Sequence, residues 1–147
     1  MRKIFTIGSS RKTAEEFFET LKENGVTKII DVRLNNNLQI LGFSKYSDIE
    51  YFTEEILKGE YFYDKKFAPS EKIFVRYKKN QIDWEGYEKE FAELMDYREI
   101  DVYIADKYGD KENYCLLCSE PSPENCHRRL VAEKIRDVLG DVEIIHL

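Results

Sequence analysis

Residues 115–129 read CLLCSEPSPENCHRR, and this short stretch holds all three cysteines of the chain, one of its two histidines and two arginines. Each residue type carries its own chemistry. A thiol beside an imidazole makes a nucleophile, because the thiolate attacks and the imidazole accepts its proton. A guanidinium grips phosphate or carboxylate with a fork of N–H donors. Glu120, directly after an apolar run, acts as a general acid or base if apolar walls raise its pKa. Cys126, His127 and Arg128 stand where a helix should begin, and a helix N-terminus favours anions through its free N–H groups and its dipole. The same field is expected to lower the pKa of Cys126, with His127 as its base. The plainer alternative is a packed cysteine, a Glu120 that caps the helix or pairs with Arg128, and a polar network that only locks the fold. Arg129, by helical spacing, reads as solvated.

The same atoms invite a metal reading, since Cys115, Cys118, Cys126 and His127 make up a Cys₃His zinc set. The spacing opposes it. Three residues apart on a strand, Cys115 and Cys118 point to opposite faces, and CLLC has no glycine to make the tight turn of a zinc knuckle. No metal site and no cofactor is expected. Cys115 reads as core filling, while Cys118 and Cys126 approach each other at the mouth of the site.

Two earlier stretches have the same grammar of an apolar run ending in polar groups. KIFTIG runs into Ser9 and Ser10, and KIIDVR ends in Asp31 and Arg33, which lie two apart on a strand and so on one side of it. Asp31 there orients Arg33 toward an anion, or simply ties strand to loop. His146 near the C-terminal end is a weaker candidate.

The elements that position these groups follow from periodicity. Residues 3–7 read as a strand. Thr13 and Glu16 form a capping box that opens a helix with Phe17, Phe18 and Leu21 on its apolar stripe and Gly25 as its stop. A second strand, 28–33, completes a βαβ unit. Residues 34–45 read as an irregular loop. Ser47, Glu50 and Gly59 repeat the cap, box and stop around another helix. A short strand is placed at 61–63, and 65–81 has no clear period and reads as loop. Asp83 caps a helix running to about residue 97. Residues 99–108 fit a helix stopped by Gly109, with a hairpin strand against 114–119 as the rival. YCLLCSE is a buried strand, residues 126–139 a helix ended by Gly140, and VEIIHL a last strand. Alternating strands and helices without repeats or linkers describe one α/β domain over residues 1–147, Rossmann-like, with a mostly parallel sheet flanked by helices. In such sheets ligands bind at the carboxyl ends of the strands. That rule brings Ser9, Ser10, Asp31, Arg33 and Glu120 to one cleft, together with the helix start at Cys126, His127 and Arg128.

Length and charge set outer bounds. The chain of 147 residues is long enough to bury a core without disulfides. No run of eighteen apolar residues exists, so no membrane span or membrane partner is expected, and MRKIFTIGSS is too short in apolar residues for a secretory signal. An odd number of cysteines suits a reducing compartment, which gives a cytoplasmic expectation. The net charge of −6 argues against non-specific grip on duplex DNA, but a local basic pocket is compatible with it.

Taken together, TIGSS, IIDVR, LLCSEPSPENCHRRLVAE and the closing IIHL resemble the domain of unknown function 488 family, whose pattern runs in order across nearly the whole chain. The resemblance implies a compact α/β fold and a shared polar site. It marks Ser10, Asp31, Arg33, Cys118, Glu120, Cys126, His127 and Arg128. The first functional reading is an enzyme acting on a phosphate-bearing small molecule, nucleotide or nucleic-acid end. In it Glu120, Cys126, His127 and Asp31 do the chemistry, and Ser9, Ser10, Arg33 and Arg128 bind. The alternative is a non-catalytic module that binds a small anion or a nucleic-acid strand in the same pocket.

Overall fold

The computed structural model describes residues 1–147. Five strands form a single sheet: β1 (Arg2–Gly8), β2 (Lys28–Asp31), β3 (Glu60–Tyr63), β4 (Tyr114–Cys118) and β5 (Val142–His146). Their order is β3-β2-β4-β1-β5, and every pairing is parallel. Six helices flank it: α1 (Ala14–Glu23), α2 (Asp48–Leu57), α3 (Glu71–Lys78), α4 (Trp84–Tyr97), α5 (Ile100–Tyr108) and α6 (His127–Leu139). This is the Rossmann-like α/β architecture expected from the alternation of elements.

The two faces of the sheet are covered by different helices, and strand alternation assigns each residue to one face. Phe5, Ile7, Ile29, Cys115 and Leu117 pack with Phe17, Phe18 and Leu21 of α1 and Ile49 and Leu57 of α2. Ile4, Ile30, Leu116 and Cys118 face the other way, onto Ile73 of α3, Tyr87, Phe91 and Met95 of α4, Ile100, Ile104 and Tyr108 of α5, and Val131, Ala132 and Ile135 of α6. The chain leaves β1 and β2 toward the first layer and β4 toward the second. Loops therefore diverge at the carboxyl ends of β1, β4 and β2, which opens a crevice there.

Local grammar explains most element ends. The Thr13–Glu16 capping box is formed, and Asp83 accepts from the Gly86 amide at the start of α4. Residues 100–108 are helical, so the hairpin alternative fails. Three expectations need correction. Ser47 stands before α2 but its side chain makes no capping bond, and the helix is closed by Lys58 in a left-handed conformation (φ 54°) rather than by Gly59. Residues 65–81 are not a loop: a 3₁₀ turn at Lys65–Phe67 leads into α3, which Ser70 caps by accepting from the Ile73 amide. The irregular segment after β2 contains a 3₁₀ stretch, Gln39–Ser44. No helix is long and apolar enough to cross a membrane.

Candidate functional site

A cavity of about 220 Å³ opens at the carboxyl ends of β2 and β4. From the strand ends come Arg33, Cys118, Ser119 and Glu120, and from the start of α6 come Asn125, Cys126 and His127. The opposite wall is apolar and aromatic: Leu34, Leu38 and Leu41 after β2, Pro69, Phe74 and Tyr77 around α3, and Trp84 and Tyr87 at the start of α4. Trp84 and Tyr87 stack on each other with centroids 4.8 Å apart and planes 15° apart. Lys78, at the end of α3, brings an ammonium group to the rim.

The floor is built by backbone register. His127 is nearly buried, and its Nε2 lies 2.6 Å from the carbonyl oxygen of Val32. A carbonyl only accepts, so Nε2 carries the proton and donates it. Nδ1 is then free to face the Cys118 Sγ, 3.6 Å away. The sulfurs of Cys118 and Cys126 and a ring nitrogen of His127 all lie within 4.8 Å of one another. The thiols divide their pKa shifts in opposite directions. The Cys126 thiol donates to Cys118 and holds its pKa down against burial, with help from the Ser119 and Glu120 amides and from Arg128. Cys126 is pushed up by that same bond and by burial. The expected lowering at Cys126 is thus reversed: the thiol favoured as thiolate is Cys118.

Asp31 and Arg33 do pair, with Arg33 on the cavity lining and Asp31 behind it. Asp31 is fully buried and accepts from the Arg33 amide (3.1 Å), Nε (2.9 Å) and Nη2 (2.7 Å), and also from the Tyr61 hydroxyl. The rest of the Arg33 fork donates to the hydroxyl and carbonyl oxygens of Ser44. Burial and the Asp31 carboxylate push the Tyr61 phenol up, so it stays a donor.

Arg128 departs furthest from the sequence expectation. It is fully buried and does not line the cavity. Its Nη1 donates to the Glu120 carbonyl oxygen (2.5 Å) and its Nε to Thr6 Oγ1 (3.3 Å), while Nη2 has no partner. Thr6 Oγ1 in turn lies 2.6 Å from His146 Nδ1, so His146 joins this network. The Ser9 and Ser10 amides extend the β1–β4 pairing onto the Cys118 and Ser119 carbonyls, and neither residue lines the cavity. Glu120 does line it, yet not within apolar walls. Its side chain is 47% exposed and pairs with Lys78 Nζ at 3.1 Å, not with Arg128. Arg129, expected to be solvated, is only partly exposed and pairs with Glu88 and Glu133.

Sequence reasoning missed the aromatic wall and Lys78. Phe74, Tyr77 and Lys78 lie on α3, and the available signal was Ser70 as a cap three residues before Ile73. Trp84, Tyr87, Phe91 and Leu94 keep helical spacing along the sequence, which marks a helix stripe but not a cavity lining.

A parallel sheet with helices on both faces, and a polar-floored crevice where its loops diverge, define a Rossmann-like α/β protein. Residues 13–135 match the family described as domain of unknown function DUF488, and the chain belongs to that family. No curated protein and no solved structure matches the chain.

Proposed function

We propose that the protein is an enzyme acting on a phosphate-bearing small molecule or nucleotide, held in the cavity at the carboxyl ends of β2 and β4. The observation that carries this reading is the pairing of two unlike surfaces in one cavity. One is an aromatic wall including the stacked Trp84 and Tyr87. The other is a polar floor and rim of Arg33, Lys78, Glu120, Cys126 and His127. A planar base stacks on indole or phenol faces at little cost in specificity, and stacking contributes about 1–3 kcal/mol per base. Lys78, half exposed and paired only with Glu120 at the rim, is the cation better placed to meet a phosphate, because Arg33 is buried and already held by Asp31 and Ser44. Glu120 is the acid–base group, close to the ligand and open to solvent for proton exchange. Asp31 acts through Arg33 as a positioning residue, and Arg128 fixes the Glu120 backbone from behind. A nucleic-acid end offers the same base and phosphate, and is the larger substrate of this class.

The test is thermal stabilisation by a panel of nucleotides and phosphorylated metabolites, followed by mass-spectrometric search for products. A nucleotide should raise Tm, Trp84→Ala should weaken its binding about 5- to 150-fold (the stacking contribution above), and Glu120→Gln should bind it without turnover. Stabilisation with no product in the wild type leaves a binding module. If no anion or nucleotide stabilises the protein, the reading is wrong.

A further inference from the structure

The floor of the cavity holds a feature that ligand binding does not require. Cys118, Cys126 and His127 converge, each more than nine-tenths buried, with their donor atoms all within 4.8 Å of one another. We propose that these three side chains bind a single zinc ion at the cavity floor, with its fourth position open to the cavity.

Geometry is the first support. A tetrahedral ion bonded at about 2.3 Å to sulfur and about 2.0 Å to nitrogen sets neighbouring sulfur and nitrogen ligands about 3.5 Å apart. Cys118 Sγ and His127 Nδ1 are 3.6 Å apart. Two thiolates on such an ion sit about 3.8 Å apart, so the trio closes on the metal with small side-chain movements.

The imidazole is the second support. Metal-bound histidines characteristically donate their other ring nitrogen to a carboxylate or backbone carbonyl, which fixes tautomer and ring orientation. His127 does this through Nε2 to Val32, and leaves Nδ1 aimed at the sulfurs. The donor set is the third. Two sulfurs and one nitrogen suit a borderline-soft ion of tetrahedral preference, and oxygen-seeking magnesium or calcium poorly. Three protein ligands with an open position are the pattern of a reactive zinc site rather than a closed structural one. All three ligands line the cavity, so the open position faces any bound ligand.

The objection raised by the sequence falls away, because it concerned Cys115. That thiol is indeed on the opposite face of the sheet, among the α1 and α2 side chains. The zinc set omits it and takes one cysteine from the end of β4 and the N-cap cysteine of α6 with the histidine after it. Binding replaces the two thiol protons, which leave to solvent, and forms two zinc–sulfur bonds and one zinc–nitrogen bond with no change of oxidation state.

The experiment uses the full chain, reduced and stripped with chelator, then titrated with zinc and with cobalt(II) as a spectroscopic probe. Bound zinc should reach one ion per chain and survive gel filtration. Cobalt should give a thiolate-to-metal charge-transfer band and tetrahedral visible bands. Cys118→Ser and Cys126→Ser should each lose stoichiometric zinc and weaken the charge-transfer band, His127→Gln should lose zinc, and Cys115→Ala should keep both. Circular dichroism shows whether each variant folds, and the wild-type cobalt spectrum decides the matter if one does not. A reduced wild-type protein that takes up no zinc, or a Cys118→Ser protein with an unchanged cobalt spectrum, overturns the proposal. Nucleotide binding is measured separately on the metal-free protein, so failure of the zinc site leaves the cavity reading standing, and the converse also holds.

Discussion

At the scale of single residues, Asp31 shows how a candidate site residue becomes structural. It is fully buried, and three Arg33 donors and the Tyr61 hydroxyl satisfy its carboxylate. Such a pair contributes little net stability compared with an apolar pair, but removing one member strands the other without a counter-charge. Asp31→Ala should therefore destabilise the fold by about 3–5 kcal/mol, while Tyr61→Phe, which removes one hydrogen bond to a charged group, should cost about 1.5–3 kcal/mol. Urea denaturation of both variants checks the order. Equal costs would mean that the Arg33 charge finds water once Asp31 is gone. The i,i+2 spacing made this pair legible, although β2 ends at Asp31, short of the expected residue 33, and Arg33 lies just past it. Tyr61 and Ser44 were not legible as its partners: they arrive from β3 and a 3₁₀ turn, through contacts no local spacing encodes. The Cys118, Cys126 and His127 trio was half legible for the same reason. Cys126 and His127 are neighbours and the approach of Cys118 to Cys126 was expected, but their closing with His127 into one cluster depends on the loop after β4, which Arg128 holds at the Glu120 carbonyl.

That loop is held at the scale of elements by its close passage against β1. A Cβ on Gly8 would stand 1.8 Å from the Glu120 carbonyl oxygen and 3.2 Å from Arg128 Nη1. The obstacle is backbone, with no flexible tip to yield. Gly8→Ala should force the loop off β1, break the Arg128–Glu120 bond and destabilise the protein by at least the about 1–3 kcal/mol of ordinary overpacking. It should also weaken ligand binding at the cavity, since Ser119 and Glu120 move with the loop. Paired denaturation and binding titrations of Gly8→Ala test this, and a wild-type midpoint would show that the loop relaxes freely. The sequence placed Gly8 at a strand end but gave no hint of this contact. The long helices were legible because each buries a repeating stripe, as Phe17, Phe18 and Leu21 do in α1 or Tyr87, Phe91 and Met95 in α4. By contrast α3 buries only Ile73, while its Phe74 and Tyr77 line the cavity and Tyr77 is only partly buried against the core. A helix whose apolar residues line a cavity has no clean core period to read.

Across the whole molecule, tyrosine replaces aliphatic bulk, and this ties stability to alkaline pH. Four phenols from different layers are buried: Tyr61 on β3, Tyr87 on α4, Tyr108 on α5 and Tyr114 on β4. Burial is the leading cause that raises each of them, and neighbouring carboxylates add to it. Asp31 acts on Tyr61, Asp64 on Tyr108, which it holds at 2.5 Å, and Asp110 on Tyr114 at 2.8 Å. Tyr87 is raised by burial and by the nearby Cys118 and Cys126. Tyr114 is pushed up to about 12, and the other three are raised as well. In the unfolded chain a phenol titrates near its ordinary value of about 10. Between that pH and the folded-state values the unfolded chain has released protons that the folded chain still binds, so stability falls as pH rises. The contribution is fully present below about pH 10 and is lost on approach to the folded values. The buried Cys115 and Cys126 thiols are raised as well, with only Cys118 lowered, so the denaturation midpoint should decline slightly from about pH 8.5, where free thiols ionise, and steeply above about pH 10. Phenolate absorbance should show exposed tyrosines such as Tyr97 and Tyr51 ionising gradually, and the buried set appearing only with cooperative loss of circular dichroism. Buried phenols that ionise gradually while the fold persists would mean that the layers open locally to hydroxide, and that the aromatic core is less tightly closed than its packing indicates.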